Sequence, residues 1–117
     1  DSKIGDAFTI AEFVMGVNET TEADLPETVL AWDLVRAVNM ARWAFICGYI
    51  NEDEMWEAIR TTAGIAKESF NSWEEYGNSF AVGRGIWRGE TDDYETADEV
   101  VGALLNKEDS PWKAIEW

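Results

Sequence analysis

Residues 28–48 read TVLAWDLVRAVNMARWAFICG, a run with neither proline nor glycine until Gly48. At about 1.5 Å per residue it makes a helix of roughly 30 Å, close to the width of a small domain. Leu30, Trp32, Leu34, Val35, Val38, Met40, Trp43, Phe45 and Ile46 leave no wide polar face, so other helices are expected to wrap it. The polar residues Asp33, Arg36, Asn39 and Arg42 recur at every third position. Each such step turns back by about 60°, so the polar line winds around the helix and Arg42 projects roughly opposite Asp33.

The flanking sequence supplies shorter partners. Asp6 to Met15 carries Phe8, Ala11 and Val14 or Met15 at helical spacing behind a capping Asp6, and Gly16 to Pro26 then turns polar, as a solvated loop does. After Gly48, which suits the left-handed position beyond a helix end, Asn51-Glu52-Asp53-Glu54 reads as an N-cap with an acidic first turn. Met55 or Trp56, Ile59, Ala63, Ala66 and Phe70 mark the buried side of that helix. Ser72-Trp73-Glu74-Glu75 has the form of a capping box and opens a helix running to about Trp87.

Within that helix Gly77, Gly83 and Gly85 each cost about 1 kcal/mol relative to alanine, which close approach of another helix or a break near Gly83 would justify. Gly89 to Asp93 reads as a loop, and Thr96 as the cap of a helix that faces Val100, Val101, Leu104 and Leu105 inward. Ser110 and Pro111 start a short last segment that brings Trp112, Ile115 and Trp117 onto the bundle. The expected fold is therefore all-α. One domain over residues 1–117 forms a compact bundle of about five helices around a central buried helix 28–48, with a tryptophan-rich C-terminal tail docked on it.

Twenty-four acidic against 9 basic side chains give a formal net charge of −15, a field that repels phosphate and argues against nucleic-acid or anionic-membrane binding. It favours a cationic partner, or serves only to keep a tryptophan-rich surface in solution. Cys47 is the single cysteine, so no internal disulfide forms, and its setting in AFICGY reads as a buried apolar position. A cytoplasmic location is expected; the start at Asp1 leaves room for a signal removed upstream. Asn18-Glu19-Thr20 matches the glycosylation sequon, a pattern frequent by chance.

There is no histidine, which removes the commonest general base and the commonest zinc ligand. Glu52-Asp53-Glu54 and Asp92-Asp93-Tyr94-Glu95 lack the spacing of a calcium loop, and Gly83-Arg84-Gly85 lacks the remaining glycine and the lysine of a phosphate loop. No metal, no cofactor and no catalytic residue is assigned. Arg36, Arg42 and Arg84 call for carboxylate partners such as Asp33, Glu74 or Glu75, because an unpaired buried guanidinium is too costly to keep. Either they form an internal ion network, or their stems pack while their heads reach water, or Asp33, Arg36, Arg42 and Arg84 line a small polar pocket for an anion or a partner's carboxylate. Trp32, Trp43, Ser72, Trp73, Gly83, Trp87, Pro111, Trp112 and Trp117 are assigned to structure, though one or two of the tryptophans suit an exposed interface anchor.

Taken in order, Trp32-Asp33-Leu34-Val35-Arg36-Ala37, Ala41-Arg42-Trp43, Gly48-Tyr49-Ile50, Ser72-Trp73-Glu74-Glu75-Tyr76-Gly77, Gly83-Arg84 with Trp87, and Ser110-Pro111-Trp112 with Trp117 resemble the bacterial domain-of-unknown-function family 1266. The resemblance spans about Leu30 to the C-terminus, with Asp1 to Asp24 carrying no part of it. It implies a mainly helical bacterial domain and brings no activity with it. The functional expectation is a non-catalytic binding protein of immunity or antitoxin type that neutralises a basic protein. Its alternatives are an anion sensor or enzyme built on the Asp/Arg residues, and a purely structural or oligomeric module.

Overall fold

The structure, a computed structural model, describes residues 28–117. The expected helix over residues 6–15, the loop after it and the sequon lie outside that range. Five helices follow in order: α1 Leu30–Ile46, α2 Glu52–Ser69, α3 Trp73–Arg88, α4 Thr91–Asn106 and the single turn α5 Pro111–Ala114. All regular structure among the described residues is helical, with α1 packed on α2 and α3, α3 on α4, and α5 on α4.

Local chemistry sets most of the boundaries. Gly48, with φ of 83°, turns the chain out of α1. Asn51 then closes a full capping box: its side chain accepts from the Glu54 amide at 2.8 Å while its own amide donates to the Glu54 carboxylate at 3.0 Å. Asn51→Ala removes one side of that exchange and is expected to cost about 1 kcal/mol. Urea unfolding, compared with the parent chain at constant m, reads that loss directly. Ser72 caps α3 by accepting from the Glu75 amide at 3.1 Å. Ser110 caps α5 with Pro111 at the first helical position, and Gly89 ends α3 in the left-handed conformation. The start of α4 differs from expectation. It begins at Thr91, absorbing much of the supposed loop, and the Thr96 hydroxyl donates to the Asp92 carbonyl inside the helix.

The burial of α1 also differs from its sequence. Ala31, Trp32, Leu34 and Ala41 are buried, but Met40 is 64% exposed, Trp43 61% and Ile46 73%. Among the described residues α2 and α3 cover only the inner face of the helix, which leaves its outer face without a neighbouring helix there. Cys47, expected inside, is exposed on the same outer line. Among the described helices α3 is the one that buries the most of itself, with Gly77, Ser79, Ala81, Val82, Gly83 and Gly85 enclosed between α1 and α4. Its glycines are contact points: a Cβ on Gly83 would lie 2.5 Å from Trp32 Cβ, and one on Gly77 would lie 2.6 Å from Val101 Cγ1. The helix runs through them without a break.

Two apolar clusters result. Ala81, Val82, Tyr94, Ala97 and Val101 knit α3 to α4, while Ala31, Leu34, Ala66 and Phe70 knit α1 to α2. The C-terminal tail joins both. Trp73 stacks on Trp112 with centroids 4.9 Å apart and meets Trp117 edge-on at 5.0 Å. Trp73 Nε1 donates to the Ile115 carbonyl at 2.8 Å and Trp117 Nε1 to the Phe70 carbonyl at 2.9 Å, so each indole keeps a polar partner as it packs.

Candidate functional site

Of the four residues assigned to a polar pocket, Arg36 and Arg84 come together and Asp33 and Arg42 do not. The Arg36 guanidinium carbon lies 5.6 Å from the Trp32 ring centre and 5.0 Å from that of Trp87; that of Arg84 lies 5.6 Å from Trp32. These are cation–π distances, and they gather two cations about one indole. Asp93 of α4 neutralises this edge: one carboxylate oxygen is 3.4 Å from Arg84 Nη2 and the other 3.6 Å from Arg88 Nε. The Trp32 indole N–H is buried with no hydrogen-bond partner among the described residues.

Asp33 and Arg42 are both exposed. Nine residues apart on one helix, they project to opposite sides, and Arg42 Nη1 reaches Asn39 Oδ1, on its own helix, at 3.5 Å. The acid that pairs with Arg84 comes instead from across the α3–α4 turn, where no spacing within one helix could have announced it.

The structural assignments divide similarly. Trp32, Gly83, Trp73, Trp112 and Trp117 pack, and Ser72 and Pro111 start their helices. Trp43 and Trp87 are surface residues instead. On α1 the positions Arg36, Met40, Trp43 and Cys47 fall within about 60° of one another, because steps of four and three nearly close whole turns. All four are exposed, and Trp87 extends the line beyond Arg36. At its other end stand Tyr49, 83% exposed, and the acidic first turn of α2 with Glu52, Asp53 and Glu54.

A second feature escaped the sequence reading altogether. A cavity of about 350 Å³ opens between α1, α2, α3 and the tail, with Val38, Ile59, Ala66, Trp73, Tyr76 and Trp117 among its walls. Lys67 stands at its edge, the ammonium 5.2 Å from the Trp117 ring centre and donating to the Trp117 main-chain oxygen, with Glu116 at the same mouth. A smaller space of about 220 Å³, wholly apolar, lies on the far side of the Trp73–Trp112 stack and shares Tyr76 with the first. Burial pushes the Tyr76 hydroxyl above the usual phenol range, so it stays protonated at any physiological pH. The residues that build these spaces come from separated segments, and the one faint signal was the crowding of tryptophan at Trp73, Trp112 and Trp117.

No curated protein and no solved structure matches the chain. The family model described as "Protein of unknown function (DUF1266)" matches residues 5–117, which carries the likeness well upstream of Leu30. A match over nearly the whole chain, on a helical scaffold that uses Trp32, Gly83 and Trp112 as its contact points, places this protein in the DUF1266 family.

Proposed function

We propose that this is a non-catalytic binding protein, of the kind that serves as an immunity protein or antitoxin, and that its partner is a basic protein seated on the outer face of α1. The observation that carries this reading is the exposed line Met40, Trp43, Cys47 and Tyr49 running into Glu52, Asp53 and Glu54. Protein interfaces centre on a few large apolar or aromatic anchors inside a polar rim, and tryptophan is among the residues most enriched at such anchors. Here the rim is acidic, on a chain of net charge −15. Opposite charge on the partner would raise the rate of encounter, while the indole and thioether surface would supply the lasting contact.

The test is capture from lysate of the source cells, scored on three properties together. A partner that fits is basic, is released as salt rises from low to moderate ionic strength, and depends on Trp43. Trp43→Ala is expected to weaken that complex by about 2 kcal/mol, roughly thirtyfold. Because Trp43 is already in solvent, the thermal midpoint of the free protein should stay within a degree or so. A captured protein indifferent to both Trp43→Ala and salt would overturn the reading.

A further inference from the structure

The outer face of α1 exposes Met40, Trp43 and Ile46, and no described helix lies on it. It also carries two of the chain's 9 basic side chains. Arg36 on the line and Arg42 on its flank are exposed, and neither forms an ion pair among the described residues. Asp33 is the single acid of the helix, and Glu52, Asp53 and Glu54 stand beyond Tyr49 at the far end. A complementary occupant would bring an apolar stripe, a negative charge toward Arg36 and Arg42, and a positive one toward the start of α2.

The chain itself holds such an occupant. The 27 residues before Thr28 carry seven acidic side chains against one basic, Lys3. Phe8, Ala11 and Met15 recur at steps of three and four, as do Met40, Trp43 and Cys47, and two such stripes interdigitate when helices pack side by side. Set antiparallel, Met15 falls opposite Arg36, Ala11 opposite Met40, Phe8 opposite Trp43 and Ile4 opposite Cys47. The same register places Glu12 opposite Asn39, between Arg36 and Arg42, and Lys3 beside Tyr49 on the side of Glu52. A parallel setting reverses both charge pairings. Residues 16–29 connect the two segments, and 14 residues reach as far as about 46 Å. Antiparallel alignment asks them to cover only about 9 Å of helix, from Leu30 to Arg36. The family match begins at residue 5, so the Phe8, Ala11 and Met15 stripe belongs to what the family shares.

We propose that residues 4–15 lie antiparallel on the outer face of α1, with Phe8 on Trp43, Ala11 at Met40 and Glu12 between Arg36 and Arg42. A basic partner on that face must displace them, a consequence that rests on the partner reading above. The segment is then an internal competitor for the binding surface. Twelve residues held by one stripe open well below the global transition, so the thermal midpoint reports the body of the bundle and not this contact.

Cys47, the single cysteine, makes the contact measurable in the full chain. Ile4→Cys and Met15→Cys each supply it with one disulfide partner, and oxidised glutathione at ambient temperature, followed by peptide mass mapping, gives the rate of closure. The antiparallel register brings position 4 to Cys47 and holds position 15 about 16 Å away, beyond the roughly 7 Å between Cα atoms that a disulfide spans. Ile4→Cys is therefore expected to close about tenfold faster than Met15→Cys. Phe8→Ser, added to Ile4→Cys, leaves the tether unchanged and removes the anchor, so it should erase most of that advantage, as should Trp43→Ala and Glu12→Arg. Circular dichroism shows that each variant keeps its helices. Equal rates at positions 4 and 15, faster closure at 15, or a rate at 4 indifferent to Phe8→Ser overturns the inference. Crosslinking needs no partner, so its result stands apart from the capture experiment above. A basic partner captured there should bind Phe8→Ser about tenfold more tightly than the parent chain, and unchanged affinity would overturn the displacement.

Discussion

Gly83→Ala is expected to destabilise the protein by about 2 kcal/mol, although alanine is the better helix former by about 1 kcal/mol. The reason lies in what the new methyl group meets. Its nearest neighbour would be Trp32 Cβ at 2.5 Å, with Trp32 Cγ and Val29 Cβ both at 3.2 Å. A Cβ is fixed to its backbone and cannot swing aside as the end of a long side chain can. Relief therefore requires α1 and α3 to move apart, which loosens the indole of Trp32 from Phe80, now 5.5 Å away ring to ring. Overpacking of this kind costs about 1–3 kcal/mol or more, enough to outweigh the gain in propensity.

Gly64 supplies the control, because it is also inside a helix and a Cβ there meets nothing within 4 Å. Gly64→Ala should raise stability by about 0.5–1 kcal/mol. Opposite signs for the same substitution, measured by chemical denaturation, would separate helix packing from helix propensity. A neutral or stabilising Gly83→Ala would mean that α1 and α3 do not pack as closely as described. The thermal midpoint should fall by roughly 10 °C in Gly83→Ala.

Gly83 also illustrates which parts of this fold can be read in one dimension. A glycine inside an apolar helix points to close approach, and the structure supplies the approaching helix. Caps are just as local: Asn51, Ser72 and Ser110 act within three residues of themselves, so their sequence signatures identify the helix starts. Burial is another matter. Helix α1 is apolar nearly all round, and periodicity cannot separate a helix that is wrapped from one that offers half its surface to solvent. That distinction depends on how many neighbours the bundle provides. Met40, Trp43, Ile46 and Cys47 therefore read as core and prove to be surface. Pairing across elements is hidden for the same reason. Asp93 holds Arg84 and Arg88 across a helix turn, and Lys67 meets Trp117 over fifty positions of sequence.

Ser79→Ala is expected to cost about 2–3 kcal/mol, a large loss for one hydroxyl group. In sequence Ser79 is a polar residue in the middle of α3, where serine is a mediocre helix former. In the structure it is wholly buried and acts as the missing N-cap of another helix. Val29, at the N-cap position of α1, has no side-chain oxygen to offer. Ser79 Oγ takes its place from α3, accepting from the Ala31 amide at 3.2 Å and donating to the Thr28 carbonyl at 2.7 Å. A capping serine normally serves the second or third amide of its own helix, and this one serves the second amide of its neighbour.

Alanine at position 79 would leave the Ala31 amide buried without a partner, and the full desolvation penalty of that group would then fall on the folded state. A small cavity adds little, since only one oxygen is removed. The effect can be told from ordinary loss of packing by where it appears. Amide hydrogen exchange should accelerate at Ala31 and through the first turn of α1 beyond the change in global stability, while the amides of α4 track that change alone. Uniform loss of protection across all helices would show that Ser79 only fills space. Preserved exchange at Ala31 would mean that α1 takes its cap from elsewhere.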